Sequence, residues 1–191
     1  KIINKTKINF KFIDLGGGMG ISYSKKEKQI NLRQYAKLVN KFTKNKDSKI
    51  IFEPGRFIIG NAGILITKII YIKKSSNKYF VILDAGMNNL MRPALYDAHH
   101  QIIPVKKANK LFRGKLEFVG PVCESSDKFS TQKIFSQIKE GDYLGLADVG
   151  AYGMSLSSNY NTRPTIAEIM VSGSKHKIIR KRQSLENLVN N

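Results

Sequence analysis

The chain has 191 residues, 41% of them hydrophobic, so it can bury a core in one large domain or about one and a half small ones. Its single cysteine excludes an internal disulfide framework and suits a reducing, cytoplasmic compartment. Its longest apolar run, residues 64–72, is interrupted by Thr67 and Lys68 and is too short to span a bilayer, so we expect no membrane association. The formal net charge of +19 makes nucleic acid a candidate partner, but the lysines are scattered and no nucleic-acid-binding module accompanies them, so we expect none.

The first predicted strand, Phe10 to Leu15, runs directly into a glycine-rich segment, Gly16 to Gly20. Consecutive glycines after a strand let backbone N–H groups approach an anion closely, and a phosphate is the usual ligand. A plain flexible turn is the alternative, because a glycine run alone is a weak signal.

A parallel β/α unit is predicted next. Apolar residues at helical spacing indicate an amphipathic helix over Asn31 to Asn45 with Asn31 as its N-cap. A second strand follows over Lys49 to Phe52, which its pattern predicts to be buried on both faces, and it ends in Glu53-Pro54-Gly55-Arg56. Because such sheets carry their chemistry at the carboxyl ends of the strands, the glycine segment and Glu53–Arg56 are expected at one edge.

Beyond a short helical turn over residues 57–62, the pattern predicts only strands, separated by turns, and a last helical turn capped by Ser184. This is typical of an antiparallel all-β domain, so we expect two domains, residues 1–60 and 61–191. The predicted strands cover residues 64–72, 79–83, 101–105, 115–119, 142–149, 165–171 and 177–180.

Three polar segments of the β domain hold candidate functional residues. Cys123 lies on a turn after a strand, although a lone cysteine is more often a small buried hydrophobe. Arg92 and Tyr96 are four residues apart and would align on one helical turn, and Tyr152 stands between glycines. His99 and His100 lack acidic or cysteine partners at ligand spacing, so we expect no metal site.

Six short motifs follow one another in order: Phe12–Tyr23 (FIDLGGGMGISY), Glu53–Arg56 (EPGR), Asp84–Met87 (DAGM), Arg92–Tyr96 (RPALY), Gly120–Glu124 (GPVCE) and Gly150–Gly153 (GAYG). Together they resemble the diaminopimelate decarboxylases, pyridoxal-phosphate enzymes of the alanine-racemase-like barrel class. The resemblance covers essentially the whole chain. It implies the last strands of a (β/α)8 TIM-type barrel over residues 1–60, followed by an antiparallel β-barrel or sandwich domain over residues 61–191 that carries the catalytic cysteine and a substrate clamp.

The resemblance also implies a pyridoxal 5'-phosphate site. Glu53 would face the pyridine nitrogen and keep it protonated, and Arg56 would lie near the phosphate and a substrate carboxylate. The cofactor-binding residues implied are Gly16, Gly17, Gly18, Glu53, Pro54, Gly55, Arg56 and Tyr152.

The implied reaction is decarboxylation of meso-2,6-diaminopimelate to L-lysine, the last step of lysine biosynthesis. Cys123 would act in protonation of the reacting carbon, and Glu124 would contact the distal ammonium group. The family's shared active sites imply a homodimer. The substrate-binding residues implied are Arg56, Arg92, Tyr96, Glu124 and Tyr152.

One departure from the family pattern concerns the lysine that forms the Schiff base, which lies far upstream of the glycine segment in the family. Lys1, Lys5 and Lys7 do not qualify, because they precede a strand instead of ending one. We therefore expect the sequence to correspond to the C-terminal half of a longer enzyme and to be inactive alone. The alternatives are a related decarboxylase of ornithine, arginine or carboxynorspermidine, a non-catalytic dimerisation fragment and, least favoured, a basic nucleic-acid-binding β domain.

Overall fold

The computed structural model describes residues 10–24, 27–44, 46–106 and 108–190. The chain divides into two compact units, Lys1–Gly60 and Asn61–Asn191, here called the N-terminal unit and the sheet unit. Four residues named in the sequence analysis lie outside the described residues. Lys1, Lys5 and Lys7 are the lysines that do not qualify for the Schiff base, and Asn45 is the expected last residue of the first helix.

The N-terminal unit contains a parallel β-α-β arrangement, as the sequence predicts. Strand β1 (Phe12–Asp14) pairs in parallel with β2 (Lys49–Ile51), and helix α1 (Leu32–Thr43) lies between them in sequence. The side chain of Asn31 accepts a hydrogen bond of 3.1 Å from the Gln34 N–H, which confirms the predicted N-cap. Helix α2 (Gly55–Ile59) follows β2 and begins two residues before the predicted helical turn.

Little of the N-terminal unit is buried. Among its described residues only Ile13 and Gly60 are buried, and α1 buries no side chain. The prediction that residues 49–52 are covered on both faces is wrong, since Ile51 and Phe52 are 41% and 39% exposed. The physical reason is that β2 pairs with β1 alone within the described ranges, so few neighbouring side chains share the faces to which these residues point.

The sheet unit is built on one nearly closed, barrel-like sheet of six strands. Their order across the sheet is β5-β8-β3-β4-β6-β7. Side chains from both ends of this order meet in one core, in which Ile69, Leu83 and Phe118 have no exposed surface. The bounds are β3 (Ile64–Lys74), β4 (Tyr79–Leu83), α3 (Arg92–Tyr96), β5 (Ile102–Pro104), β6 (Leu111–Val119), β7 (Lys128–Ser136) and β8 (Tyr143–Ala147).

The expectation of a wholly antiparallel sheet needs one correction. Strand β4 pairs in parallel with β6, with Val81 opposite Phe118, while the other pairs in this sheet are antiparallel. A parallel pair needs a long crossover connection. Residues 84–110 supply it, and they carry α3 and β5.

Strand β7 was missed in the sequence. Its residues are mostly polar, and only a few of its side chains, among them Phe129 and Phe135, are buried. It is an edge strand of the sheet, where one-sided pairing and exposed lysines are common, so its hydrophobic signal is weak.

The C-terminal part of the sheet unit forms a separate hairpin of β9 (Glu168–Ser172) and β10 (Lys175–Arg180). The Arg180 Nε donates to a Glu168 carboxylate oxygen at 2.6 Å across the two strands. Helix α4 (Leu185–Val189) ends the described chain, and the Ser184 hydroxyl accepts from the Asn187 N–H at 3.0 Å, which confirms the predicted cap. None of the helices in the described ranges is long and apolar enough to cross a membrane.

Candidate functional site

In the N-terminal unit, the glycine segment and Glu53 lie side by side at the carboxyl ends of β1 and β2. The Glu53 N–H donates to the Gly16 carbonyl at 2.9 Å. Gly16 and Gly18 have φ values of +67° and +78°, in the left-handed region that glycine adopts without strain. A Cβ on Gly17 would collide with the Glu53 carbonyl oxygen, so this turn admits glycine alone. The sequence-predicted phosphate loop and the EPGR motif are therefore neighbours.

This glycine turn presents backbone donors. The Gly16 N–H is already used, because it donates to the Asp14 carboxylate at 2.7 Å. The structure gives the N–H groups of Gly17 and Gly18 no acceptor among the described residues. A Cβ built on Gly18 would meet no atom within 4 Å, so the space beside it is open. Such a cradle of N–H groups fits a phosphate.

In the sheet unit, helix α3 carries both members of the predicted substrate pair. Arg92 is at its first position and is 6% exposed, whereas Tyr96 at its last position is 65% exposed. The one-turn helix predicted from their spacing is confirmed, but the two side chains differ in burial. Buried arginine is rare without partners, and Arg92 has them.

His100 is one partner of Arg92. The Arg92 Nη1 lies 3.1 Å from the His100 Nε2, and the His100 Nδ1 lies 2.9 Å from the Ala147 carbonyl oxygen. A carbonyl accepts only, so Nδ1 carries the proton and Nε2 accepts from the guanidinium. Burial of the ring lowers the pKa of His100 below its ordinary value; the hydrogen bond to Ala147 opposes this, and the charge of Arg92 adds to it.

Tyr152 covers Arg92 from another segment. Its ring centroid lies 6.0 Å from the Arg92 Cζ, within the range of a cation–π contact. Tyr152 has a φ of +64°, which is uncommon for a residue with a side chain and costs about 1–3 kcal/mol. Gly153 is required next to it, because a Cβ there would collide with the Val149 carbonyl oxygen. The GAYG motif thus holds one aromatic ring against one arginine.

The turn that carries Cys123 is fixed by the carboxylate of Asp127. Its oxygens accept hydrogen bonds of 2.7 Å from the Val122 N–H and of 2.7 Å from the Met87 N–H. Burial raises the pKa of Asp127, and these two hydrogen bonds oppose the rise. Gly120 is required in this turn, because a Cβ there would collide with the Asp127 carboxylate. Cys123 itself is exposed on the turn, as the sequence predicts.

Glu124 is tied to Tyr160. One carboxylate oxygen accepts from the Tyr160 hydroxyl at 2.6 Å, and the other accepts from the Ser126 hydroxyl at 3.0 Å. The hydrogen bond and the negative charge of Glu124 raise the pKa of Tyr160. Glu124 therefore projects from the turn with its carboxylate already ordered.

Arg163 joins the segment of residues 157–163 to the DAGM segment. Its Nη2 donates to the Asp84 carbonyl at 2.6 Å and its Nε to the Asn88 side chain at 3.2 Å. Asn88 is fully buried, and its carbonyl accepts from the Ser158 N–H at 2.9 Å. These contacts bring residues 84–89 and 157–163 together.

The structure thus gathers two groups of sequence-predicted residues, each within its own unit. Gly16–Gly18 and Glu53 adjoin one another in the N-terminal unit, where Arg56 is half-buried on α2. Arg92 adjoins Tyr152 in the sheet unit. Sequence reasoning missed His100, Asp127 and Arg163 as organising residues. Asp127 lies three residues after the Gly120–Glu124 motif, but a carboxylate that binds backbone N–H groups leaves no spacing signal.

A depression of the sheet unit lies beside these residues without including them. Its volume is about 590 Å³, and it is open between α3 and the segment that follows the Cys turn. Ala94, His99, Ser126 and Lys128 contribute to its walls, whereas Arg92 and Cys123 do not. The part of the chain that the structure describes contains no group of three or more His, Cys, Asp or Glu side chains suited to a metal ion.

Comparison with known proteins gives consistent matches. The family model of the pyridoxal-dependent decarboxylases, C-terminal sheet domain, matches residues 13–150. Diaminopimelate decarboxylase of Zymomonas mobilis is 45% identical over 177 residues, and that of Aquifex aeolicus is 41% identical over 181 residues. These alignments cover 92% and 95% of this chain but 42% and 43% of the relatives. The chain therefore spans less than half the length of these proteins.

A solved structure matches equally well. The crystal structure of diaminopimelate decarboxylase from Helicobacter pylori, complexed with L-lysine, is similar with a TM-score of 0.87 and 43% identity. The match covers 94% of this chain and 44% of that one.

Proposed function

Because this chain belongs to the pyridoxal-dependent decarboxylase family, we propose that it is the C-terminal part of an enzyme that decarboxylates meso-2,6-diaminopimelate to L-lysine. Relatives at 41–45% identity that bear the name of this activity support the substrate. The observation that carries the proposal is the buried Arg92 under Tyr152, because a substrate with a second carboxylate needs such a cation away from its reacting carbon. The L-lysine in the Helicobacter pylori structure retains that carboxylate.

The cofactor proposed is pyridoxal 5'-phosphate. The turn of Gly16, Gly17 and Gly18 fits its phosphate, since it offers backbone donors beside open space and Gly17 has no room for a side chain. Glu53, whose backbone is hydrogen-bonded to this turn, would keep the pyridine nitrogen protonated, and Arg56 with Pro54 and Gly55 would complete the anion-binding wall. When bound, the cofactor supplies the electron sink for the carbanion left by loss of CO₂.

The residues of the sheet unit are proposed to bind and orient the substrate. Arg92 would bind the distal carboxylate, with the Tyr96 hydroxyl contributing a further hydrogen bond. Glu124, ordered by Tyr160, would accept from the distal ammonium. Tyr152 would contact both substrate and cofactor. Contacts remote from the reacting carbon supply binding energy that orients the bond to be broken.

Cys123 is proposed to deliver a proton to the carbon that loses CO₂. Its exposure on the turn makes the thiol accessible, and Asp127 fixes the backbone on which it stands. A proton donor needs a defined position more than a large driving force, so a rigid turn suits this role.

The assembly proposed is a cytoplasmic homodimer with shared active sites, in which residues 1–60 contribute the last strands of a (β/α)8 barrel. The parallel β1-α1-β2 arrangement supports the barrel assignment. The Schiff-base lysine is expected upstream in the full-length enzyme.

The proposal is tested by measuring CO₂ release by the full-length enzyme from diaminopimelate, ornithine, arginine and carboxynorspermidine. We expect a clear preference for diaminopimelate; a preference for any of the other three would refute the substrate assignment. In the same assay Cys123→Ala should reduce turnover by about 10²–10⁴-fold while cofactor affinity is unchanged. Unchanged turnover would make Cys123 a structural thiol.

A further inference from the structure

We infer that His100 is a positioning residue that holds the Arg92 guanidinium, through a hydrogen bond to a neutral imidazole, in the orientation that binds the distal carboxylate of the substrate. The inference rests on the proposed function, in which Arg92 makes that contact. It concerns this hydrogen-bonded chain in the sheet unit: Ala147 carbonyl, His100 ring, Arg92 guanidinium.

This series of hydrogen bonds is anchored in the sheet, at Ala147. Ala147 is the last residue of β8, pairs with Ile64 of β3, and its N–H donates to the Gln101 carbonyl at 2.9 Å. The carbonyl that receives the His100 Nδ1–H therefore belongs to a strand that is paired on both sides, with β3 and with β5. The ring is 1% exposed, so both its position and its rotation are fixed.

Arg92 needs such an anchor because the helix that carries it is short and lacks a side-chain N-cap. Helix α3 has five residues, and its N-cap position lacks a side-chain hydrogen bond. An arginine binds a carboxylate well only when its planar fork is correctly oriented. His100 sets one edge of that plane and the Tyr152 ring covers one face at 6.0 Å from Cζ.

The same geometry fixes the protonation state that the ring must have. A protonated imidazole would turn an N–H toward the guanidinium N–H and abolish the bond. Among the described residues, the charges of Arg92 and His99 disfavour a proton on His100, and the charge of Asp148 favours it. Burial also disfavours the proton, so the ring is an acceptor at neutral pH.

The test uses the full-length holoenzyme and two ligands that differ only in the carboxylate, L-lysine and cadaverine. Inhibition constants are compared for wild type, His100→Leu, His100→Gln and the control His99→Leu, which alters the exposed neighbouring histidine. We expect His100→Leu to weaken L-lysine about 10–100-fold and cadaverine less than about twofold, the loss expected for a hydrogen bond to a charged group. His100→Gln, whose amide oxygen reaches the position of Nε2, should recover most of the L-lysine affinity, and His99→Leu should match wild type.

An equal loss for both ligands would overturn the inference, because it would indicate a merely structural role. So would wild-type selectivity in His100→Leu. Arg92→Leu separates this failure from that of the proposed function. If Arg92→Leu weakens L-lysine and cadaverine equally, the proposed clamp itself is wrong. If Arg92→Leu weakens L-lysine selectively and His100→Leu does not, only the role of His100 is refuted.

A pH series keeps the inference testable if His100→Leu does not fold. In wild type, the preference for L-lysine over cadaverine should fall as the pH is lowered below the ordinary histidine value of 6.5, because the ring gains a proton. In His100→Gln the preference should stay level over this range. Parallel curves for the two proteins would overturn the inference.

Discussion

At the scale of single residues, Glu117 is a buried carboxylate of the sheet that has several lysine partners. It lies on β6 with its side chain 8% exposed, and three lysines surround its carboxylate. Lys78, Lys115 and Lys128 approach to 2.9, 3.3 and 3.8 Å. The hydrogen bond from Lys78 is the main cause that lowers the pKa of Glu117 below its ordinary 4.5. A hydrogen bond from Lys115 and the charge of Lys128 lower this pKa further, whereas burial raises it.

This pairing predicts a specific dependence of stability on pH. A carboxyl group whose pKa is lower in the folded state stabilises the fold above its unfolded pKa, and this contribution is lost as the pH falls through the folded pKa. We therefore expect the thermal midpoint of the full-length protein to drop more steeply below pH 4.5 than that of Glu117→Gln. At pH 7 the variant should be less stable by about 1–3 kcal/mol. Calorimetry at several pH values checks this; parallel pH curves would contradict it.

At the scale of elements, the turn between β1 and α1 depends on one close approach. Gly17 faces the Glu53 backbone, where a Cβ has no room, whereas a Cβ on Gly20 would meet nothing within 4 Å. The two glycines therefore differ in what they contribute, although both belong to the same motif.

Gly17→Ala should separate the ends of β1 and β2 and weaken pyridoxal-phosphate binding in the full-length enzyme by about tenfold or more, since a steric shift of about 1 Å misaligns the N–H donors. Gly20→Ala is the matched control and should bind the cofactor as wild type does. Cofactor titration followed by absorbance measures both. Equal affinities in the two variants would show that the turn does not hold the phosphate.

Some of these elements can be predicted from the sequence and others cannot. The β1-α1-β2 unit and the caps at Asn31 and Ser184 follow from periodicity and capping chemistry, which act over a few residues. Strand β7 and the parallel β4–β6 pair do not, because edge position and strand order depend on contacts distant in sequence. Among the candidate residues, the motifs singled out Arg92 and Tyr152, whereas the hydrogen bond of His100 to a carbonyl 47 residues away leaves no local signal in the sequence.

At the scale of the whole molecule, the two units differ in how well they cover their apolar side chains. The sheet unit has a continuous core, but Leu38 and Ile58 of the N-terminal unit are 68% and 70% exposed. Exposed apolar surface favours association, as do the edges of a sheet that has two strands within the described ranges.

We therefore expect residues 1–191, expressed alone, to self-associate at micromolar concentration. Leu38→Lys with Ile58→Lys should reduce this association, because each adds charge to an exposed apolar site. Light scattering against concentration measures the effect, with Leu95→Lys, an exposed leucine of the sheet unit, as the comparison. A monodisperse monomer would contradict the expectation.

The parallel pairing of β4 with β6 has a kinetic consequence. Arg92 and His100 both lie in the crossover connection between these strands, and the hydrogen-bond acceptor of His100 belongs to β8, further along the chain. Contacts of such large sequence separation form late, because loop closure has to precede them. The arginine can thus be held through His100 only after β8 has reached this connection, so the orientation of one guanidinium reports that two segments distant in sequence have met.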